Sequence, residues 1–216
     1  MLLHAKIENS GANGPGNRAV IWVQGCSLNC SGCQNQETHR FKNDSEVDVF
    51  ELADWILSIP DIEGLTVSGG EPMQQADRLF LLVSLLHERR PDFSIGMFTG
   101  YTQKELIEGR WKWHSRSTGD WLRGDTAIWL EIKKHLDFAI MGRYNKLVRT
   151  TNKPLCGSEN QDVVFFTERY SQKDIPPTMV EFLIDENSDL VQVTGFPPEE
   201  RPSEDPPEEQ GDTVHA

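Results

Sequence analysis

The chain has 216 residues, 37% of them hydrophobic, which is enough apolar material for a real core and excludes collagen-like and wholly disordered classes. With 34 acidic residues against 21 Lys and Arg, the formal net charge of −13 argues against a protein that holds nucleic acid by neutralising phosphates, or one drawn to an anionic membrane surface. No apolar run approaches the roughly 18 residues of a spanning helix, and the opening MLLHAKIENSG lacks a signal peptide's basic start and long apolar middle, so a cytoplasmic protein is expected.

After the Gly-rich segment Gly11 to Gly16, the run AVIWV from Ala19 to Val23 reads as a buried strand. The stripe Val47, Phe50, Leu52, Ala53, Ile56 and Leu57 predicts a helix from Val47 to Ser58. Leu65 to Ser68 is a short strand ending in Gly69-Gly70, and Gln74 to Arg90 is a long amphipathic helix stopped by Pro91. Ser94 to Phe98 is the next strand, and Thr102 with Glu105 forms a capping-box pattern at a helix start. Thr126 to His135 reads as helix, Leu136 to Met141 as strand, and Val180 to Ile184 with Leu190 to Val193 as a hairpin around residues 185–189. Between Gly109 and Trp129 the rhythm breaks: Trp111, Trp113, Trp121 and Trp129 fall in an insertion, where aromatics usually serve packing.

Strands alternating with helices imply an α/β fold with a mostly parallel sheet. Such sheets gather their ligand sites at the carboxyl ends of the strands. The loops Gln24 to His39, Gly69 to Met73 and Thr99 to Thr102 are therefore expected to meet at one edge. The domain is expected to span residues 1–196. Residues 197–216 hold five prolines and seven acidic residues against one Arg, and are read as a disordered acidic tail.

Four cysteines are unevenly placed: Cys26, Cys30 and Cys33 lie in GCSLNCSGC, and Cys156 stands alone. Three thiolates on one short loop can share a metal centre. A structural zinc would want a fourth ligand, which Cys156 or His39 could supply. A four-iron cluster on three cysteines leaves one iron without a protein ligand, and so open to chemistry. Cys156 itself reads as a small buried hydrophobe.

The C-x3-C-x2-C spacing after a first strand, together with Ser68-Gly69-Gly70-Glu71-Pro72 after the second, resembles the radical S-adenosylmethionine (SAM) enzymes. Further segments are similar to the activating proteins of anaerobic ribonucleotide reductase, relatives of the pyruvate formate-lyase activating enzyme. These are Gly14-Pro15-Gly16 with Arg18, Gln24-Gly25-Cys26, Gly32-Cys33-Gln34-Asn35, Phe98-Thr99-Gly100-Tyr101-Thr102 and Gly157-Ser158 with Asn160-Gln161.

The resemblance implies a partial, open β/α barrel and a single 4Fe-4S cluster on Cys26, Cys30 and Cys33. It implies SAM contacts from Gly32, Asn35, Ser68, Gly69, Gly70, Glu71, Thr99 and Gly100, with no side-chain acid or base. It further implies reductive cleavage of SAM to a 5′-deoxyadenosyl radical, hydrogen abstraction from a glycyl radical enzyme, and a flavodoxin or ferredoxin as reductant. Met141 stands where that family typically has an acidic residue before Gly, so a contact to SAM or a cation is expected to be missing. Hydrogen abstraction from a peptide or small metabolite is the alternative within the superfamily. An iron–sulfur electron carrier or a zinc-stabilised binding module is the alternative outside it.

Overall fold

The structure is a computed structural model that describes residues 1–42, 45–177, 180–184 and 191–195. The expected tail at 197–216 and the turn at 185–189 lie outside the described residues.

Six strands form the main sheet: β1 (Leu3–Ser10), β2 (Arg18–Val23), β3 (Gly64–Gly69), β4 (Ser94–Thr99), β7 (Phe138–Met141) and β8 (Asp162–Phe165). Two short strands, β5 (Lys112–His114) and β6 (Trp121–Arg123), pair as a hairpin, as do β9 (Val180–Ile184) and β10 (Val191–Gly195). The helices are α1 (Val49–Ser58), α2 (Ala76–Arg89), α3 (Gln103–Ile107) and α4 (Thr126–Lys133). In the main sheet the order is β1-β2-β3-β4-β7-β8. β2, β3, β4 and β7 are parallel, and the edge strands β1 and β8 are antiparallel to their neighbours.

Strand order follows chain order, so every crossover steps toward the same edge. Crossovers of one hand then lay their helices along one face, and α1, α2 and α4 pack side by side there. Side-chain alternation sorts the residues accordingly. Ala19, Ile21, Val23, Leu65, Val67, Ile95, Met97, Ala139 and Met141 meet the helices in the main core. On the opposite face Phe138 and Ile140 pack with Leu155, Cys156, Tyr170 and Ile175. With both faces covered, β2 and β3 are buried almost throughout, as parallel strands are.

At the amino end of the sheet the buried Arg18 binds three strands together. Its Nε donates to Thr66 Oγ1 (2.8 Å), one terminal nitrogen to Leu65 O (2.7 Å), and the other to Pro15 O (3.1 Å) and Ser94 Oγ (3.2 Å). Its guanidinium lies 5.1 Å from the centre of the Phe138 ring.

The expected strands and helices form, with four additions: β1, β8 and the β5–β6 pair. β1 is an addition even though Leu3, Ala5 and Ile7 alternate with His4, Lys6 and Glu8. β8 is a short apolar run, Val163 to Phe165, hidden behind the Gly157 to Gln161 motif. The insertion contributes β5 and β6; Trp111 and Trp129 are buried in it, whereas Trp121 is 42% exposed.

Candidate functional site

The cysteine loop leaves the carboxyl end of β2 and is closed at its base. Gly25 N donates to Thr38 O (2.7 Å) and Cys26 N to His39 O (2.9 Å). Buried Gln24 reaches across with its amide to Arg40 O (2.5 Å) and Glu37 O (3.2 Å). Within the loop, Gly32 takes the left-handed conformation (φ +73°), and a Cβ there would stand 3.4 Å from Lys146 Cβ.

The loop after β3 is locked against the cysteine loop. Gly70 N donates to Val23 O (2.8 Å) and Glu71 N to Gly25 O (3.0 Å). A Cβ on Gly69 would meet Val23 N at 2.5 Å, and one on Gly70 would meet Gly25 O at 2.4 Å, so both positions need glycine for a close approach of backbone to backbone.

Glu71 is wholly buried and accepts from Thr99 Oγ1 (2.7 Å), Gly100 N (2.7 Å) and Met73 N (2.9 Å), joining the loops after β3 and β4. Burial pushes its pKa up to about 7, against the pull of those three donors. Gln74 is the second tie: its amide donates to Ser27 Oγ (2.8 Å) and Tyr101 Oη (3.0 Å), and its oxygen accepts from Ser27 N (2.8 Å).

Around these ties lies a cavity of about 370 Å³ at the carboxyl ends of the parallel strands. All three thiols, Cys26, Cys30 and Cys33, line it, as do Asn35, Ser68, Gly69, Gly70, Glu71, Thr99 and Gly100. Gly32 does not; its place is the turn between two cysteines. His39 lines the cavity, whereas Cys156 is buried in the opposite core and does not reach it. Met141 points into the helical core, and Gly142 after it borders the cavity.

Asn13, Trp22, Tyr144 and Val193 to Gly195 of β10 also wall the cavity, with no motif to mark them in the sequence. The inward register of β2 could have pointed to Trp22, two residues before Gln24. The β9–β10 hairpin carries no local signal of its position. It is fixed by Glu181, which accepts from Ser10 Oγ (2.6 Å) and Gly11 N (2.8 Å), and by Asn13, which donates to Thr194 Oγ1 (2.9 Å).

The thiols themselves suit iron. Burial pushes all three up in pKa, Cys26 to about 12, while backbone N–H groups pull the other way: Leu28 and Asn29 at Cys26, Tyr144 at Cys30 and Asn35 at Cys33. Such N–H groups stabilise sulfur once it is charged, and tune iron–sulfur centres. Among the described residues no three His, Cys, Asp or Glu side chains converge closely enough to share a single metal ion; the thiols ring a larger space. Three thiol donors, no fourth cysteine and adjacent room for an organic ligand fit a cluster with one open iron.

Comparison with known proteins gives the family of the chain. Residues 12–164 match the family described as "4Fe-4S single cluster domain". The anaerobic ribonucleoside-triphosphate reductase-activating protein of Enterobacteria phage T4 is 34% identical over 154 residues, covering 69% of this chain and 84% of the relative. Its counterpart in Vibrio cholerae is 37% identical over 106 residues, 45% of this chain and 67% of the relative. The pyruvate formate-lyase-activating enzyme of Streptococcus mutans is 41% identical over 83 residues, 36% of this chain and 32% of the relative. The chain belongs to the 4Fe-4S single cluster domain family of radical SAM enzymes. The family's cofactors are the 4Fe-4S cluster and SAM.

Proposed function

We propose that the protein is an activating enzyme that abstracts hydrogen from a glycyl radical enzyme, with an anaerobic ribonucleotide reductase as the protein substrate. The observation that carries the reading is the convergence of Cys26, Cys30, Cys33, the Ser68 to Glu71 loop and Thr99-Gly100 on one cavity. The relatives named above supply the substrate class. Residues 1–196 make up the catalytic domain, its open sheet a short form of the partial β/α barrel, with 197–216 as an acidic tail. A cytoplasmic setting and a flavodoxin or ferredoxin as reductant complete the reading.

Cys26, Cys30 and Cys33 hold the cluster. Asn35, Ser68, Gly69, Gly70, Glu71, Thr99 and Gly100 hold SAM beside it, and Gly32 shapes the loop that carries the last thiolate. Bound there, the cluster and SAM supply a one-electron cleavage that generates a hydrogen-abstracting radical. The chain's own work is positioning and shielding. Glu71 fixes Thr99 and Gly100 against the cysteine loop, and Trp22, Leu28 and Phe98 present apolar walls that keep water out. Loading iron displaces protons from three thiols of raised pKa, so cluster assembly is favoured as pH rises.

The test is anaerobic reconstitution with iron and sulfide, then reduction with dithionite in the presence of SAM. Release of 5′-deoxyadenosine is expected, with a glycyl radical signal in electron paramagnetic resonance when the reductase is added. Cys26→Ala, Cys30→Ala and Cys33→Ala should each abolish the cluster, and Cys156→Ala should keep its iron. A fully loaded cluster that leaves SAM intact would overturn the enzymatic reading. Cleavage without a protein radical would redirect it to a peptide or small-metabolite substrate.

A further inference from the structure

On the outer side of the cysteine loop lies a second hollow, an open groove of about 400 Å³. One wall is Ser27 and Leu28, between the first two cluster cysteines. The other is formed by Arg110, Lys112 and Arg123 around the β5–β6 hairpin and by Arg143 after β7. Among the described residues no Asp or Glu lines it, in a chain where acidic residues outnumber basic ones by 34 to 21. Arg110 is held by Glu108 (2.6 Å) and Arg143 by Glu105 (2.8 Å). Lys112 and Arg123 have no carboxylate partner among the described residues: the Lys112 ammonium sits 4.8 Å from the centre of the Trp121 ring, and Arg123 donates to Gly109 O (3.4 Å). The groove is thus a local positive field on an otherwise acidic molecule.

Its position gives the field a use. Leu28 lines both the groove and the cysteine cavity, so the two are separated by the thickness of one side chain. The four cations come from three separated segments and spread around an open hollow, which suits a broad acidic surface better than a small anion.

We propose that this groove docks the acidic face of a one-electron carrier protein, which delivers its electron through the Ser27–Leu28 wall. The inference rests on the functional reading above, in that the cluster must receive an electron. In the step, one electron leaves the carrier's reduced centre and enters the cluster. The carrier is oxidised and the cluster reduced, with no bond made or broken. Charge complementarity of this kind acts mainly on the rate of encounter and carries a salt dependence.

The test uses the reconstituted holoprotein and a reduced acidic [2Fe–2S] ferredoxin as probe, with bleaching of the cluster's visible absorption followed by stopped flow. The double variant Lys112→Glu/Arg123→Glu should lower the second-order rate constant about 10- to 100-fold at low salt. The wild-type rate should fall with ionic strength, and the variant's should not. Reduction by dithionite should differ by less than about twofold between the two proteins. The control Lys6→Glu/Lys173→Glu, with the same change of net charge at exposed sites elsewhere, should stay near wild type. Equal ferredoxin rates for wild type and double variant, or an equal loss in the control, would overturn the proposal.

Fluorescence titration with oxidised ferredoxin reads docking without electron transfer. It should show weaker binding for Lys112→Gln/Arg123→Gln, a milder pair that covers misfolding of the charge reversal. Failure of dithionite-reduced wild type to cleave SAM would count against the activating-enzyme reading alone, since docking and cluster bleaching are measured without SAM.

Discussion

Glu71 shows how one buried side chain shapes the site. Its carboxyl accepts from Met73 N, Thr99 Oγ1 and Gly100 N, yet burial raises its pKa from 4.5 to about 7. Because the folded value lies above the unfolded one, the fold binds this proton more tightly than the open chain does. The stabilisation is complete below about pH 4.5 and is lost as pH rises through 7, a change on the order of 3 kcal/mol. In the cluster-free protein, urea unfolding of wild type and Glu71→Gln at about pH 5 and about pH 8 should therefore show wild type losing ground at the higher pH. A difference that does not move with pH would mean the carboxyl is ionised throughout. That the position holds an acidic residue was legible from Ser68 to Pro72. Its contacts were not, because Thr99 and Gly100 lie 28 and 29 residues away and meet it only through parallel pairing. Cys156 is the converse case: a lone cysteine reads as a buried hydrophobe, and it packs in that way beside Leu155 and Tyr170.

Elements are joined by two polar links whose removal gives separable results. Arg18 gathers β2, β3 and the start of β4, and burial lowers its pKa while Tyr170 and Glu63 support its charge. Arg18→Met should cost about 3 kcal/mol or more in urea unfolding, since it leaves the Thr66 and Ser94 hydroxyls and three carbonyls to find other partners. A loss below about 1 kcal/mol would show that they readily do so.

Between α2 and the end of α4, His87 Nε2 donates to Phe93 O (2.8 Å), so neutral His87 presents Nδ1 as acceptor to His135 Nδ1 (2.9 Å). Burial first, and then His87, hold the His135 pKa below 6.5. Its contribution is present above about pH 6.5 and is lost as pH falls through the folded value. Thermal unfolding at about pH 7.5 and about pH 5.5 should show a smaller drop for His135→Gln than for wild type, by a few °C. An equal drop would mean that the pair carries no pH response. Helices and central strands were legible because burial on both faces leaves continuous apolar runs and 3.6-residue stripes. β8 was not, because four residues at an edge are too few to show a period.

At the scale of the molecule, segments from early and late in the sequence converge on the site. Glu181 of β9 binds the Ser10 to Ala12 segment, and Thr194 of β10 meets Asn13. Residues some 170 positions apart thereby close one side of the cavity. Glu181→Gln should increase amide exchange at Gly11 and along β10 and raise the dissociation constant for SAM, read by equilibrium dialysis of the holoprotein, while iron content stays unchanged. Unaltered exchange and affinity would show the hairpin to be held by its other contacts. Nothing local in the sequence foretold this closure, since it depends on a few side-chain bonds rather than on pattern.

The same molecule carries a restriction on how it can be rebuilt. Gly70 leaves no room for a Cβ beside Gly25 O, and Glu71 N is bonded to that same carbonyl. The cysteine loop and the loop after β3 are therefore one inherited part in two pieces. A designer who grafts the three cysteines onto another scaffold, without a glycine pair on the neighbouring strand, transfers the ligands without the surface that seats them. A substitution that shifts the backbone of one of these two loops has to be matched by a change in the other.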